Sequence, residues 1–534
     1  MVPSMKKISS SIILVLISLQ SAAQDRYMVF FKDKNGTPYS TSSPQQFLSE
    51  RAIQRRAKQN IPVTEEDLPV SPVYTALLEQ MGVQVFYTTK WMNGVLVQMD
   101  NGQKSLVDNL EFVRATEYVG PDAPLSKSSS VTVQDNAGNI WNEDVTSLPQ
   151  FTMHGIDEMH DFGLKGEGII IGVFDDGFQN LGSIPAFNGL TQGNQLLYSF
   201  DFTRNTESVN NGRHHGTRVL SLMAANDEYY TGTAPNAKYI LCATEAPGEY
   251  RIEEYNWLFA AEKADSAGVD IVNTSLGYSH GYSDPSMNYR PEQLNGATTV
   301  VTRAANIAAS KGILLIVSAG NSGTVVSAPA DSPYVLAVGA INEDGLLAGF
   351  SSRGTYTPDV FKPDVVAQGQ STLLISVEGT YLRQNGTSFS GPIISGFAAG
   401  IWQAYSGKTA AEMREIIRNS GDRASEPHQQ FGFGVPNFLR VVQLLKQNTE
   451  GSASIFNAYP NPTQADLQIE VDEAFYGERI QIEIISAKGQ LTRQVEFIPF
   501  GHRNPLTISL QENGVYFVRV ITNRGASSRK IIKY

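Results

Sequence analysis

Four short apolar runs punctuate the middle of the chain: Ile169–Phe174, Val269–Val272, Leu314–Val317 and Val335–Val338. Each is rich in β-branched residues and has almost no polar interruption. Strands that alternate apolar with polar positions have one wet face, whereas continuous runs of this kind belong to strands covered on both faces of a parallel sheet. Between them lie longer stretches of helical character, Glu254–Ala267 and Val301–Lys311, suited to crossover connections. The pattern predicts an α/β unit over residues 140–447, a doubly wound, mostly parallel sheet with helices on both sides.

The pattern differs on either side of this unit. Upstream, Tyr27–Phe31 reads as a strand followed by a turn at Lys34-Asn35-Gly36. Residues 45–59 and 73–81 have helical character, and Val83–Tyr87 and Val95–Val97 are strand-like, so residues 25–120 predict a small open-faced α/β unit. Ser126–Gly138 is polar and aperiodic, as a linker is. Downstream, Tyr459-Pro-Asn-Pro462 blocks regular structure. Strict alternation follows at Leu467, Ile469 and Val471, at Ile480, Ile482 and Ile484, and at Tyr516, Val518 and Val520, with turn signals at Lys488-Gly489 and Arg524-Gly525. An all-β sandwich is expected there.

Composition narrows the function. At 534 residues and 41% hydrophobic the chain has ample material for several packed cores, and 18% charged residues argue against disorder. The net charge of −12 and the lack of a long basic tract exclude nucleic acid as a partner. The densest basic stretch, Arg51, Arg55, Arg56 and Lys58, reads as the solvated side of one helix. The single cysteine, Cys242, sits in the apolar run Tyr239–Ala243 and is expected to be a buried, unreactive strand residue, with no disulfide framework. Met1–Ala23 reads as a secretory signal peptide: Lys6 and Lys7, the apolar stretch Ile12–Leu19, then the small residues Ser21-Ala22-Ala23 before Gln24. No other stretch approaches membrane-spanning length, so the mature chain is expected to carry no transmembrane segment.

Catalytic groups in open α/β sheets gather beyond the carboxyl ends of the strands. Asp175-Asp176-Gly177 follows the first run, and Ser318-Ala-Gly-Asn321 follows the third. Arg213-His214-His215-Gly216-Thr217 opens one helical stretch, and Asn385-Gly-Thr-Ser388-Phe-Ser-Gly-Pro392 leads into another. A serine hydroxyl is a weak nucleophile that needs an imidazole to take its proton and a carboxylate to hold the imidazole. Ser388 at a helix start, His215 and an aspartate supply those parts, and either Asp175 or Asp176 could be that aspartate. Asn321 can donate an amide hydrogen bond to an oxyanion. Gly386 and Gly391 suggest room for a substrate backbone, and Gly216 leaves one side of the imidazole open.

These motifs, in this order, resemble the subtilisin-like serine peptidases (the S8 family). Asp175-Asp-Gly177, His215-Gly-Thr217 and Gly386-Thr-Ser388-Phe-Ser-Gly-Pro392 resemble the family's three triad boxes, and Ala319-Gly-Asn321 its oxyanion asparagine. Gly232-Thr-Ala-Pro235, Asn273–Gly277, Phe350–Gly354 and Lys362–Ala367 extend the similarity over most of residues 150–445. The resemblance implies a secreted endopeptidase with Asp175, His215 and Ser388 as its triad, Asn321 in the oxyanion hole, and Ser275, Leu276 and Gly277 pairing with an extended peptide substrate. It makes His214 a neighbour of the site rather than its base. It implies an inhibitory propeptide over residues 24–125, ahead of a peptidase domain over 126–448. Tyr459-Pro-Asn-Pro462, Gly514–Val520 and Arg529–Lys533 resemble the sorting domain of the type IX secretion route of Bacteroidota, which assigns residues 449–534 to the secretion machinery as partner. A catalytically silent adhesin or scaffold on the same fold is the alternative. No cofactor is required and no metal is assigned. His154 and His160 lack the His-Glu-x-x-His pattern of a zinc peptidase, and structural calcium fits the family without ligands that the sequence can name.

Overall fold

A computed structural model describes residues 24–121, 148–246, 248–356, 360–447, 455–487, 489–500 and 505–534. The signal-peptide reading, the linker Ser126–Gly138 and Lys488 of one turn signal lie outside the described residues.

The N-terminal unit contains β1 (Asp25–Phe31), α1 (Glu50–Lys58), α2 (Pro72–Gln80), β2 (Gln84–Thr89), β3 (Gly94–Met99), α3 (Asn101–Val107) and β4 (Val113–Gly120). Its four strands form an antiparallel sheet in the order β2-β3-β1-β4. The apolar run in β1 has a direct cause. Tyr27, Val29 and Phe31 face one core with Val95, Val97, Leu78 and Val107. Met28 and Phe30 point the other way, into a core with Leu96, Val119, Tyr255, Leu258 and Ala305. One face of the sheet is therefore covered by the unit's own helices and the other by helices of the central unit.

The central unit begins with two short helices, α4 (Pro149–Thr152) and α5 (Ile156–Asp161). It continues through β5 (Ile170–Asp175), α6 (Asn188–Gln192), β6 (Leu196–Asp201), α7 (His215–Ala224), β7 (Lys238–Ala243), α8 (Ile252–Ala267) and β8 (Ile271–Thr274). Then come α9 (Val300–Ser310), β9 (Leu314–Ser318), β10 (Leu336–Ile341), β11 (Val365–Gln368), the hairpin β12 (Thr372–Ile375) and β13 (Tyr381–Gln384), α10 (Thr387–Ala404), α11 (Ala410–Asn419) and α12 (Phe438–Gln447). Seven strands form one parallel sheet in the order β11-β10-β9-β8-β5-β7-β6. Alternate residues feed two cores. Ile171, Val173, Leu314 and Ile316 pack under α7 and α10, and Ile170, Phe174, Leu315 and Val317 pack under α8 and α9. That is the doubly covered sheet the continuous runs predict. Cys242 is fully buried in it, and burial pushes its thiol up, so it is a core residue.

The C-terminal unit holds β14 (Phe456–Tyr459), β15 (Asp466–Val471), β16 (Ile480–Ser486), β17 (Leu491–Phe497), β18 (Leu506–Ser509), β19 (Gly514–Thr522) and β20 (Gly525–Lys533). Two sheets, β14-β15-β18 and β17-β16-β19-β20, enclose one core made of the alternating residues Leu467, Ile469, Ile480, Ile482, Val518 and Val520. The tight β19–β20 turn falls at Asn523-Arg524, because Thr522 pairs with Gly525.

One expectation is overturned. Arg55 and Arg56 are not solvated: they are 6% and 1% exposed. Arg55 donates to Asp265 Oδ1 at 2.5 Å and Arg56 to Asp265 Oδ2 at 2.7 Å, with Lys90 at 3.3 Å. Arg56 also pairs with Asp67 at 3.0 Å, and Arg51 with Asp270. Beside them Glu262 accepts from Thr89 Oγ1 at 2.5 Å and from the backbone amides of Lys90 and Trp91 at 2.9 and 3.1 Å. The helical spacing of the arginines reflects a face turned to a partner surface about two hundred residues downstream. Removing one member of a buried charge network leaves the others uncompensated and costs roughly 3–5 kcal/mol. Asp265→Ala is therefore expected to destabilise the full-length chain by about that much, read as a lower urea midpoint. Burial raises the Asp265 carboxyl, but Lys90, Arg55 and Arg56 outweigh it and leave the pKa below the ordinary value. The stabilisation is accordingly present at neutral pH and lost as the pH falls through that depressed value.

Candidate active site

Asp175 is the last residue of β5, the strand from which the sheet grows in both directions. It is fully buried. Its Oδ1 accepts from His215 Nδ1 at 2.7 Å and from the Asp176 amide at 2.8 Å, while its Oδ2 is buried without a hydrogen-bond partner. His215 is the first residue of α7, and His214 occupies the preceding cap position. The fit requires Gly216. A Cβ there would lie 2.5 Å from the Gly177 carbonyl oxygen and 3.0 Å from Asp175 Cβ, so any side chain would push the imidazole off the carboxylate. Asp176 Oδ1 accepts instead from the Gly216 amide at 3.3 Å. Of the two aspartates left open by the sequence, Asp175 holds the imidazole.

Ser388 lies in the first turn of α10 and is 9% exposed. Phe389, the next residue, brings its ring centroid within 5.9 Å of the His215 ring. The turn that carries Ser388 is fastened from three sides. Ser275 Oγ donates to the Ser388 carbonyl at 3.0 Å, and Ser318 Oγ donates to the Thr387 carbonyl at 2.9 Å. Asn321 Oδ1 accepts from both the amide and the hydroxyl of Thr387 at 2.9 Å. With its oxygen occupied, the Asn321 side chain has its NH2 left as a donor. Asn321, Ser388 and the segment Ser275, Leu276 and Gly277 line one open cleft of about 420 Å³, with Ser318, Gly320, Ser327, Ser352 and Tyr356. Ser388 Oγ itself makes only a long contact, 3.4 Å, to the Ser275 carbonyl.

Two roles differ from the sequence reading. Gly391 does not face the cleft: a Cβ there would sit 3.2 Å from Ser318 Oγ and 3.6 Å from Asn273 Oδ1, so its smallness lets α10 settle on the sheet. Thr387 and Ser318 are positioning residues that sequence reasoning missed. Their signal was the Gly-Thr-Ser box and the strand end before Asn321, both read only for the residue beside them.

Charge in the site is uneven. Burial raises the Asp176 carboxyl to about 6, and the neighbouring Asp175 adds to the effect. For His215 burial acts to lower the pKa, but the Asp175 charge and hydrogen bond, with a further push from Asp176, raise it to about 9. The ring keeps 30% of its side-chain surface exposed, so water partly relieves the burial penalty. The three groups Asp175, Asp176 and His215 lie close enough to offer three ligands to a metal. The Asp175–His215 hydrogen bond already occupies two of their ligand atoms.

The comparisons with known proteins agree with this architecture. Residues 166–435 match the subtilase family, residues 26–135 the Bacteroidota propeptide domain of S8 peptidases, and residues 457–534 a secretion system C-terminal sorting domain. Subtilisin E of Bacillus subtilis is 29% identical over 333 residues, 60% of this chain and 77% of the relative. The subtilisin of Bacillus pumilus is 30% identical over 294 residues, 53% of this chain and 94% of the relative. The alkaline protease of Alkalihalobacillus alcalophilus is 24% identical over 451 residues, 82% and 98% of the two chains. In fold the chain resembles the epidermin leader peptide processing serine protease of Staphylococcus aureus, with a TM-score of 0.54 and 17% identity over 81% of this chain and all of that one. The chain belongs to the subtilase family. It is a subtilisin-like, serine-type endopeptidase, with a family propeptide at its N-terminus and a sorting domain that marks it for export. No helix among the described residues is long and apolar enough to cross a membrane.

Proposed function

We propose that the chain is made as a zymogen and, once exported, hydrolyses peptide bonds through Asp175, His215 and Ser388. The peptide lies extended along Ser275–Gly277, its backbone adding a strand to that segment. His215 Nε2 takes the Ser388 proton as Oγ attacks the scissile carbonyl. Asp175 fixes the imidazole with its proton on Nδ1 and stabilises the imidazolium. The oxyanion receives the Asn321 NH2, with the positive start of α10 beside it. His215 returns its proton to the leaving amine, and water repeats the sequence on the acyl-enzyme. The observation that carries this reading is the 2.7 Å bond from His215 to a fully buried Asp175, next to a cleft shared by Ser388 and Asn321. The rival reading, a silent adhesin, has no lost reacting group to support it.

The N-terminal unit serves as the inhibitor. Its sheet is buried against α8 and α9, and Gly120 at the end of β4 packs on Tyr250 and on Ile252, the first residue of α8. The C-terminal sandwich addresses the chain to the secretion machinery. The test is incubation of the purified protein with a fluorophosphonate probe, followed by mass spectrometry. Labelling of Ser388 with loss of the residues before roughly 125 supports the reading. An unlabelled Ser388 in a chain whose N-terminal unit has been removed by a second protease would overturn it.

The acid limb of activity offers a further check. A general base works only when neutral, so kcat/KM should rise as pH rises through the His215 value of about 9. Asp176 is charged above about 6 and contributes to that elevation. Asp176→Asn is expected to shift the limb to lower pH with little loss at the plateau, since asparagine can still accept from the Gly216 amide. A profile that does not move would mean that Asp176 exerts no field on the base.

A further inference from the structure

A buried acid that the proposed chemistry does not use sits behind the cleft. Glu254 lies in the first turn of α8 and is fully buried. Its Oε1 accepts from the Tyr282 hydroxyl and from the Tyr289 hydroxyl, each at 2.8 Å. Its Oε2 accepts from the Val301 amide, in the first turn of α9, at 2.9 Å. The Val300 amide donates in turn to the Tyr289 hydroxyl at 3.3 Å. Arg251, one residue before α8, lies 4.8 Å over the Tyr289 ring and donates to the Met287 carbonyl at 2.5 Å. Glu117 of β4 reaches Arg251 at 3.5 Å, but the three donors on Glu254 all belong to the central unit.

Tyr282 and Tyr289 stand on the connection between β8 and α9, residues 275–299, whose only regular structure is two short stretches of 3-10 helix. Long connections of this kind are uncommon in packed domains, and side chains must fasten them. The connection starts with Ser275–Gly277, and its later residues Ser279, His280, Tyr289, Pro291 and Leu294 line the same cleft. Tyr289 therefore belongs both to the cleft lining and to the donors on Glu254. A carboxylate suits the position, because three donors converge on its two oxygens and an ionised acceptor holds them more strongly than a neutral one. Burial raises the Glu254 pKa, and the hydrogen bonds from Val301, Tyr282 and Tyr289, with the Arg251 charge, act against that rise. The positive start of α8 also favours a negative charge there.

We propose that Glu254 is a positioning residue for substrate binding: by clasping Tyr282 and Tyr289 to the starts of α8 and α9, it holds the β8–α9 connection as a wall of the cleft. The inference rests on the peptidase reading above and concerns how the peptide is bound, not how its bond is cut. No aspartate, glutamate, lysine or arginine among the described residues lines the cleft, and Leu276, Tyr289, Pro291 and Leu294 give it an apolar side. An apolar side chain of the peptide laid there gains by burial. A loose wall would have to be ordered at each binding event, and that cost would come out of the affinity. Loss of the clasp thus weakens a peptide long enough to reach the wall and leaves Asp175, His215, Ser388 and Asn321 in place.

The experiment compares the parent, Glu254→Gln and Tyr282→Phe, each made as the full chain and then freed of its N-terminal unit by a second protease. Each is given a small N-acetyl amino acid ester, which occupies only the region around Ser388, and a long, leucine-rich, internally quenched peptide, which reaches the wall. Fluorophosphonate labelling of Ser388 and Tm are recorded alongside. In Glu254→Gln a side-chain NH2 replaces one acceptor and faces a donor, so KM for the long peptide is expected to rise roughly tenfold, with kcat and ester hydrolysis within about twofold of the parent. Tyr282→Phe keeps the ring and removes a hydroxyl that is not part of the cleft lining. It should show the same split at about threefold, and it carries the test if Glu254→Gln does not fold. A labelled parent with variants whose KM for the long peptide equals its own would overturn this proposal alone. So would an equal loss on ester and peptide that follows a fall in Tm, which marks a purely structural role. A parent that the probe does not label would overturn the peptidase reading, and this proposal with it.

Discussion

Replacing Ser388 with alanine is expected to lower kcat by roughly six orders of magnitude, with the fold and substrate affinity unchanged. The local structure explains why the fold should survive. Ser388 Oγ makes no bond shorter than its 3.4 Å contact with the Ser275 carbonyl, whereas the turn around it is held by Ser275 Oγ, Ser318 Oγ and Asn321 acting on backbone groups and Thr387. The hydroxyl is thus absent from the scaffold. A residual rate of about a thousandfold over water should remain from Asn321 and substrate binding. Steady-state hydrolysis of a chromogenic peptide, by parent and variant from which a second protease has removed the N-terminal unit, decides the matter, with Tm measured alongside. Activity within a factor of ten of the parent would place the nucleophile elsewhere.

Asp175→Asn should cost about four orders of magnitude in kcat, again with the fold retained. The asparagine amide can meet His215 Nδ1 with a donor, which favours the imidazole tautomer whose Nε2 carries the proton and cannot act as base. The second carboxylate makes this substitution informative. Asp176 is bonded to the Gly216 amide and makes no hydrogen bond to the imidazole, so it should not take over. A loss of only tenfold in Asp175→Asn, deepened by a further Asp176→Asn, would show that it does.

The parts of the site carried by short local signals were legible in the sequence. Asp175 ends a continuous apolar run, and His215 and Ser388 each sit in the first turn of a helical stretch, so strand periodicity and helix starts place them. What escaped depends on distant pairing. Arg55 and Arg56 have the spacing of a wet helix face, and only Asp265, far along the chain, makes that face dry. The edge strand β6 is half exposed along most of its length and lacks the continuous run that identifies its neighbours. Lys362 is similar: its motif was visible, but not that the ammonium is fully buried, held by Asp364 at 2.6 Å and the Val335 carbonyl at 3.0 Å.

The N-terminal sheet uses both of its faces, and only one of them is covered by its own helices. In the zymogen scheme proposed above, cutting the connection to the central unit and releasing the sheet brings Met28, Phe30, Leu96 and Val119 to water together and parts Arg55, Arg56 and Lys90 from Asp265, with Arg56 keeping only Asp67. A small sheet with a bare apolar face is a poor independent folder, and an opened chain beside an active peptidase is a substrate. Activation on this plan is a ratchet: the brake is consumed by the machine it releases, and the step runs in one direction without any further signal.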